Sequence, residues 1–374
     1  MAGLYIHIPF CRDACSYCDF HFSISLGQLE PMLQAIEMEI RQEKNYLEEE
    51  ELKTIYLGGG TPSVLSARQF TRLFSAIKKN YTISGEAEIT MEANPDDLTP
   101  DYLSFLREAG VNRLSIGIQS FHDEDLRLMK RRHDSKQSRE CLENAYNAGF
   151  DNLNMDLIYG APEMSNENWT KNLDITIQYK PAHLAAYHLT YEPGTVMDYR
   201  LKRNRIQPAD ENRSFDHYTI LTEKMDQGGY QHYEISNFAR PGRISKHNSG
   251  YWRGEKYLGV GPSAHSYNGR NRRWNISKNA SYIKGTLNGL PVYEEESLQE
   301  KDRYHDYILT SLRTVWGLDL KYLEKEWGKE YYEHIIHRSA PYIKSGKISS
   351  VDDKLILSRE GMFIADHIMK DLFI

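Results

Sequence analysis

Short apolar, β-rich runs recur through the first half of the chain, each followed by a longer amphipathic stretch. The runs are Leu4–Ile8, Thr54–Leu57, Ala87–Met91, Arg113–Ile118, Asn152–Tyr159 and His183–Leu189. Their composition predicts buried strands. Between the first two, Leu29, Met32, Leu33, Ile36 and Ile40 form an i, i+3, i+4 stripe, the mark of a helix with one buried face. Ser66 and Gln69 form a capping box ahead of Phe70, Leu73, Phe74 and Ile77. Thr99 with Pro100 opens a third helix that Ala109-Gly110 closes. Asp134 starts a fourth, running to Ala148-Gly149, and Trp169, Leu173 and Ile177 mark a fifth. Strands alternating with helices pair in parallel. Six units are too few for a complete eight-fold barrel. The expected fold is α/β, a partial (β/α)6 TIM-like barrel.

The pattern changes after Leu189. Tyr191–Thr195 reads as a turn, and Phe215–Met225 as a helix stopped by Gly228-Gly229. A segment rich in aromatic residues, glycine and histidine follows, from Tyr230 to Trp274. From about Pro291 the chain is helical and amphipathic, with a turn at Gly346, a short strand at Leu355–Leu357 and a last helix from Glu360. The expected organisation is a core over 1–190, an extension of it over 191–288, and a small, mainly helical, winged-helix-like domain over 289–374. Glu48–Glu51 reads as a solvated helix end and Arg270–Trp274 as a solvated basic loop.

Three of the four cysteines, Cys11, Cys15 and Cys18, fall within eight residues directly after the first strand. Three thiolates this close can share an inorganic centre, and they leave it one ligand short of four. An incompletely ligated metal is an open coordination site. Three readings stand. A zinc site completed by His7 or His21 would be structural. Three small hydrophobes on a helix face would be packing, although Pro9 and the polar Arg12, Asp13 and Ser16 favour a loop. The third is a site-differentiated iron–sulfur cluster, and it fits the spacing best. Cys141, beside Leu142 and Ala145 on a helix, reads as a buried hydrophobe.

Four further candidates follow a predicted strand, end one or lie late in it, where parallel barrels collect function. Gly58-Gly59-Gly60-Thr61 follows the second strand, Glu92 ends the third, Gln119 the fourth, and Asp156 lies late in the fifth. The glycines allow close backbone approach, but no phosphate-loop pattern is present. A second cluster, His247-Asn248-x2-Tyr251-Trp252 and Gly259–Ser266, places imidazoles beside aromatic rings, which suits a haem ligand at His247.

The cysteine triplet after Tyr5-Ile-His-Ile-Pro-Phe10 resembles that of the radical S-adenosylmethionine (SAM) superfamily. More narrowly, it resembles the branch that holds oxygen-independent coproporphyrinogen III oxidase and the HemW-type haem chaperones. Similar blocks recur at Gly58–Pro62, Met91–Pro95, Gly117–Phe121, Asn154–Gly160 and His247–Ser266. The resemblance implies a 4Fe–4S cluster on Cys11, Cys15 and Cys18, with the open iron chelated by the amino and carboxylate groups of SAM. It implies SAM contacts at Tyr5, Tyr17, Gly58, Gly59, Gly60, Thr61, Glu92, Gln119, Arg131 and Asp156. Chemically, carboxylates accept from ribose hydroxyls or the amine, and arginine pairs with a carboxylate.

Two functions lead under this resemblance, with a radical SAM enzyme acting on an unrelated substrate as a third class. In the oxidase, a deoxyadenosyl radical abstracts hydrogen from propionate side chains of coproporphyrinogen III. In the chaperone, the same site accompanies haem carried as cargo to acceptor haemoproteins. The oxidase pattern has a further cysteine two residues after the triplet, where this chain has Phe20. It also carries an N-terminal arm of tens of residues, whereas four residues precede Tyr5 here. Both departures lead to the expectation of a chaperone. A flavodoxin or ferredoxin is the expected electron donor where SAM is cleaved, and a homodimer is a candidate assembly. The net charge of −7 offers no general attraction for nucleic acid, and no apolar run approaches the ~20 residues that span a bilayer. Clustered thiolates survive in reducing compartments, so the expected location is the cytoplasm.

Overall fold

A computed structural model describes residues 2–48 and 51–374. Strands β1 (Gly3–Ile8), β2 (Glu51–Gly59), β3 (Thr82–Ala93), β4 (Arg113–Gln119), β5 (Leu153–Tyr159) and β6 (His183–His188) lie side by side in chain order, all parallel. Helices α1 (Leu29–Gln42), α2 (Ala67–Asn80), α3 (Pro100–Ala109), α4 (Asp123–Leu128), α5 (Ser135–Asn147) and α6 (Asn166–Tyr179) make the crossovers. Strand alternation sends Leu4, Ile6 and Ile8 into the apolar layer shared with the helices, fully buried. Tyr5 and His7 point the other way, into the barrel. The predicted capping box forms, with Ser66 N–H donating to Gln69 Oε1 at 3.0 Å, and the structure adds a second at the predicted start of α5, where Gln137 N–H donates to Asp134 Oδ1 at 2.8 Å. Helix α4 was not expected, because six residues carry too little periodicity to be read.

The sheet does not stop at β6. The next elements are α7 (Val196–Lys202), α8 (Glu211–Gln227), β7 (Gln231–Glu234), β8 (Asn237–Ala239), α9 (Lys246–Trp252), β9 (Tyr257–Val260), β10 (His265–Tyr267), β11 (Asn271–Asn275), α10 (Asn279–Leu287) and β12 (Tyr293–Ser297). Strand β8 joins β6 antiparallel, while β9 joins β1 as a further parallel strand and leads on to β10, β11 and β12. The sheet therefore continues across residue 190 at both edges.

Arg270–Trp274, expected as a loop, is largely strand β11. Two of its three arginines are paired rather than simply solvated: Arg273 bridges Glu43 and Glu295, and Arg272 pairs with Asp306. The expected helix end at Glu48–Glu51 is also corrected, since α1 stops at Gln42 and Glu51 opens β2; Glu49 and Glu50 lie outside the described residues.

The remaining chain forms α11 (Glu300–Leu312), β13 (Leu318–Asp319), α12 (Leu320–Trp327), α13 (Lys329–Lys344), β14 (Ile348–Val351), β15 (Lys354–Leu357), α14 (Arg359–Phe363) and α15 (Ala365–Asp371). It is mainly helical, with a small antiparallel sheet ordered β13-β15-β14. Among the described residues no helix is long and apolar enough to cross a membrane.

Two buried carboxylates fasten the extension to the barrel. Glu39 of α1 accepts from Gly261 N–H at 2.8 Å, Asn275 Nδ2 at 2.6 Å and the Tyr282 hydroxyl. Glu88 of β3 accepts from the N–H groups of Lys246 and His247 at the start of α9, at 3.1 and 3.0 Å. That contact seats α9 across the N-terminal ends of β1 to β3, as the floor of the barrel.

Candidate functional site

The loop after β1 is closed at its root, where Cys11 N–H donates to Ser23 O at 3.0 Å and Ser23 N–H to Pro9 O at 2.9 Å. Its middle is pinned by Ser16, which is fully buried and donates through N–H to Met129 O and through Oγ to Leu128 O. The carbonyl of Ser16 accepts from Met197 N–H of α7 at 2.9 Å. A segment of Cys, Arg, Asp and Ser has no helical stripe to bury, so tertiary hydrogen bonds set its path. All three thiols are partly exposed at the rim. Thr61 Oγ donates to Cys11 Sγ at 3.2 Å and Arg131 Nη1 to Cys15 Sγ at 3.3 Å.

Burial pushes the Cys11 thiol up and Cys18 up to about 12, with neighbouring thiols adding to both. A bound cationic centre reverses this, because metal binding displaces the thiol protons. The two donors to sulfur and the loop's rigid anchoring fit an iron–sulfur centre. The zinc reading fits poorly. His7 Nε2 donates to His21 O at 2.9 Å and His21 Nε2 to Asn279 Oδ1 at 2.7 Å.

Beside the thiols lies a continuous polar network. Arg131 Nη2 donates to Asn94 Oδ1 at 2.6 Å and to Gly117 O at 2.8 Å, and Asn94 Nδ2 reaches Thr61 Oγ at 3.4 Å. Arg131 Nε is buried with no acceptor, a donor left over for an anionic group such as a carboxylate. Asn94 was missed as a site residue; the Met91–Pro95 block held it, but its partners are far away in sequence. Gln119 takes φ +66° after a shift of register between β4 and β5, a strained conformation for a residue other than glycine. That twist leaves its amide close to Gly117, beside Arg131.

Glu92 accepts from the Tyr56 hydroxyl at 2.7 Å and Gly59 N–H at 3.2 Å. Asp156 accepts from Asn154 Nδ2 at 2.7 Å and Ser115 Oγ at 3.2 Å. Burial raises Glu92 to about 7 and Asp156 to about 6, against the pull of these donors. The glycines are demanded by packing. A side chain at Gly59, which has φ +106°, would strike the His7 ring, and one at Gly60 would strike the carbonyls of Ile8 and Phe10. The turn therefore lies directly against the root of the cysteine loop.

Tyr17, half-buried in the cysteine loop, is within electrostatic reach of Arg131 and of the thiols of Cys15 and Cys18. Tyr5 is deeper: its hydroxyl donates to His7 Nδ1 at 3.1 Å, and its ring stacks over Tyr56 and His247. His247 needs a correction. It lies at the floor, next to Gly3 and Thr54, at the other end of the strands from the cysteines. Nδ1 meets Thr54 Oγ at 2.7 Å and Nε2 meets the Tyr251 hydroxyl at 2.8 Å. Burial lowers it to about 3, so it is neutral with both nitrogens engaged, and neither is open to iron. The Gly259–Ser266 segment is likewise structural. Gly261 packs on the His7 carbonyl, and His265 is exposed on β10.

A partial β/α barrel with a three-cysteine loop after its first strand defines the radical SAM class, and residues 5–174 match the Radical SAM superfamily. The heme chaperone HemW of Bacillus subtilis is 32% identical over 371 residues, covering 98% of each chain. That of Mycobacterium tuberculosis is 31% identical over 378 residues, covering 99% of this chain and 94% of the relative. The Escherichia coli HemW is 33% identical over 319 residues, covering 84% and 82%. Among solved structures, coproporphyrinogen III oxidase (HemN) from Escherichia coli, a radical SAM enzyme, superposes with a TM-score of 0.86 at 25% identity, covering 100% of this chain and 90% of that one. The chain belongs to the HemW family of the radical SAM superfamily.

Proposed function

We propose that this protein is a haem chaperone that holds a 4Fe–4S cluster and SAM at its rim and delivers haem to acceptor haemoproteins. The observation that carries the reading is its relationship, over nearly its whole length, to proteins named heme chaperone HemW. The site supports it residue by residue. Cys11, Cys15 and Cys18 would hold the cluster, which with SAM supplies one-electron reducing chemistry when bound. Thr61 and Arg131 donate to the ligating sulfurs and so temper their charge. The free Nε of Arg131 suits the carboxylate of SAM, while Glu92 and Asp156 suit its hydroxyls and amine. Gly58–Thr61 would bring backbone close to the ligand, Gln119 would offer an amide, and the Tyr17 ring would stand beside the cluster thiols.

For the haem itself the rim offers exposed apolar side chains. Phe20, Ile24 and Leu26 continue the cysteine loop, and Val196 and Tyr199 stand on α7. A flat porphyrin needs such a surface, which soluble proteins seldom leave uncovered without a use. A flavodoxin or ferredoxin donor belongs to this reading only where SAM is reduced.

The likeness to HemN favours a second reading, decarboxylation of coproporphyrinogen III. Phe20, exposed at 68%, stands where the oxidase pattern has a cysteine. Cluster-loaded protein given SAM, a low-potential reductant and coproporphyrinogen III is expected to form no protoporphyrinogen, followed by chromatography of the oxidised porphyrins. Product exceeding one equivalent per chain would return the assignment to the oxidase.

A further inference from the structure

Beneath the rim lies a charge that the site described above does not use. Arg113 opens β4 with its side chain inside the barrel, 1% exposed. Its register partner on β3 is Thr90, and two pairs further along the same strands, on the same face of the sheet, come Glu92 and Ser115. Arg113 is therefore one layer below the Glu92–Asp156 pair. None of its three nitrogens meets a protein acceptor, and the hydroxyl of Thr90 beside it is also buried without a partner. Among the described residues no carboxylate hydrogen-bonds to it.

A guanidinium carries five N–H donors and does not lose its charge. Buried groups of this kind are satisfied by protein or by ordered water. Both carboxylates of the layer above are already bonded to other donors: Glu92 to Tyr56 and Gly59, Asp156 to Asn154 and Ser115. Those carboxylates provide the countercharge, so a further anion would be repelled, and ordered water is the partner that suits such donors.

We propose that Arg113 is a positioning residue for the Glu92–Asp156 pair, acting on both carboxylates from below through bridging water. The proposal rests on the reading that this pair binds SAM. Its effect is electrostatic. Burial pushes both carboxyls up, and Arg113 opposes that push at each. The other groups that face the pair do not change charge near neutrality. Burial keeps Tyr5 of β1, Tyr56 of β2, Tyr187 of β6 and Tyr17 of the loop protonated, and Arg131 stays cationic. On the floor, His183 and His247 are held neutral by burial. Cys11 faces Glu92 from the cysteine loop and is a cluster ligand in the loaded protein. Removing Arg113 leaves the carboxylates with burial and mutual repulsion, so they take up protons at higher pH.

The test is SAM affinity as a function of pH, by calorimetry on cluster-loaded protein. In wild type, binding strengthens as pH rises through the titration of the pair. In Arg113→Met the midpoint is expected to rise by about one pH unit, with affinity at pH 7 about tenfold weaker and iron content unchanged. Arg113→Lys, which keeps the charge, is expected to hold the midpoint near wild type. A Met variant whose pH curve superimposes on wild type overturns the proposal. Should that variant fail to fold, Arg113→Gln carries the same expectation and the same overturning result. A structural role alone would lower stability without moving the midpoint. If Glu92→Ala and Asp156→Ala leave SAM affinity unchanged, the site reading itself has failed. If they weaken binding while Arg113→Met does not move the curve, only the role of Arg113 has failed.

Discussion

Cys15→Ala is expected to abolish the iron–sulfur centre, leaving anaerobically reconstituted protein with neither iron nor inorganic sulfide. The loop holds three thiols and the remaining cysteine is far from it, so no ligand is spare. Cys141 is 2% exposed on α5, with its thiol turned to Ser138 O at 3.2 Å. Two cysteines cannot replace three, since each missing thiolate would leave another iron unligated. The fold should survive, because the loop is anchored by Ser16 and by the Cys11–Ser23 backbone pair rather than by the sulfur of Cys15. Cys141→Ser is the control and should retain the full cluster spectrum. Wild-type iron content in Cys15→Ala would remove the cluster assignment, and zinc recovered in place of iron would restore the structural reading.

The second large effect concerns SAM. Glu92→Ala and Asp156→Ala should each retain the cluster, yet bind SAM more weakly by roughly ten- to a hundredfold. Loss of a charge-assisted hydrogen bond costs about 1.5–3 kcal/mol, which is that range of affinity. The sign with pH follows from burial. With Glu92 raised to about 7 and Asp156 to about 6, both are largely protonated in mild acid, where they accept poorly. Binding should therefore weaken as pH falls from 7.5 toward 5.5, a window set by those two values. Calorimetry showing both variants within twofold of wild type, or a flat pH profile in wild type, would contradict this.

Much of this architecture could be read from the chain. Each barrel strand is a compact apolar run, and caps such as Ser66–Gln69 and Asp134–Gln137 involve residues three apart, so one sequence contains the whole signal. What escaped reading depends on partners far away along the chain. Strand β11 is polar, and only pairing with β10 and β12 makes it a strand. His247 looked like a ligand because its neighbours Tyr251 and Trp252 are aromatic. Its second partner, Thr54, lies 193 residues earlier and makes it a packed floor residue instead. Asn94 and Arg113 were silent for the same reason. An asparagine after a strand and an arginine opening one acquire meaning only when Arg131, Thr61 and the two buried carboxylates come into view.

The most direct measurement is haem transfer. Protein loaded with one equivalent of haem is mixed with an apo-haemoprotein, then separated from it, and the Soret absorbance of both fractions is recorded. The account predicts that haem leaves this protein and appears in the acceptor faster than haem released from a non-specific carrier such as serum albumin. His247→Ala should keep its haem spectrum, since that side chain faces the floor. No retained haem in the wild type, or transfer no faster than from albumin, would contradict the chaperone assignment.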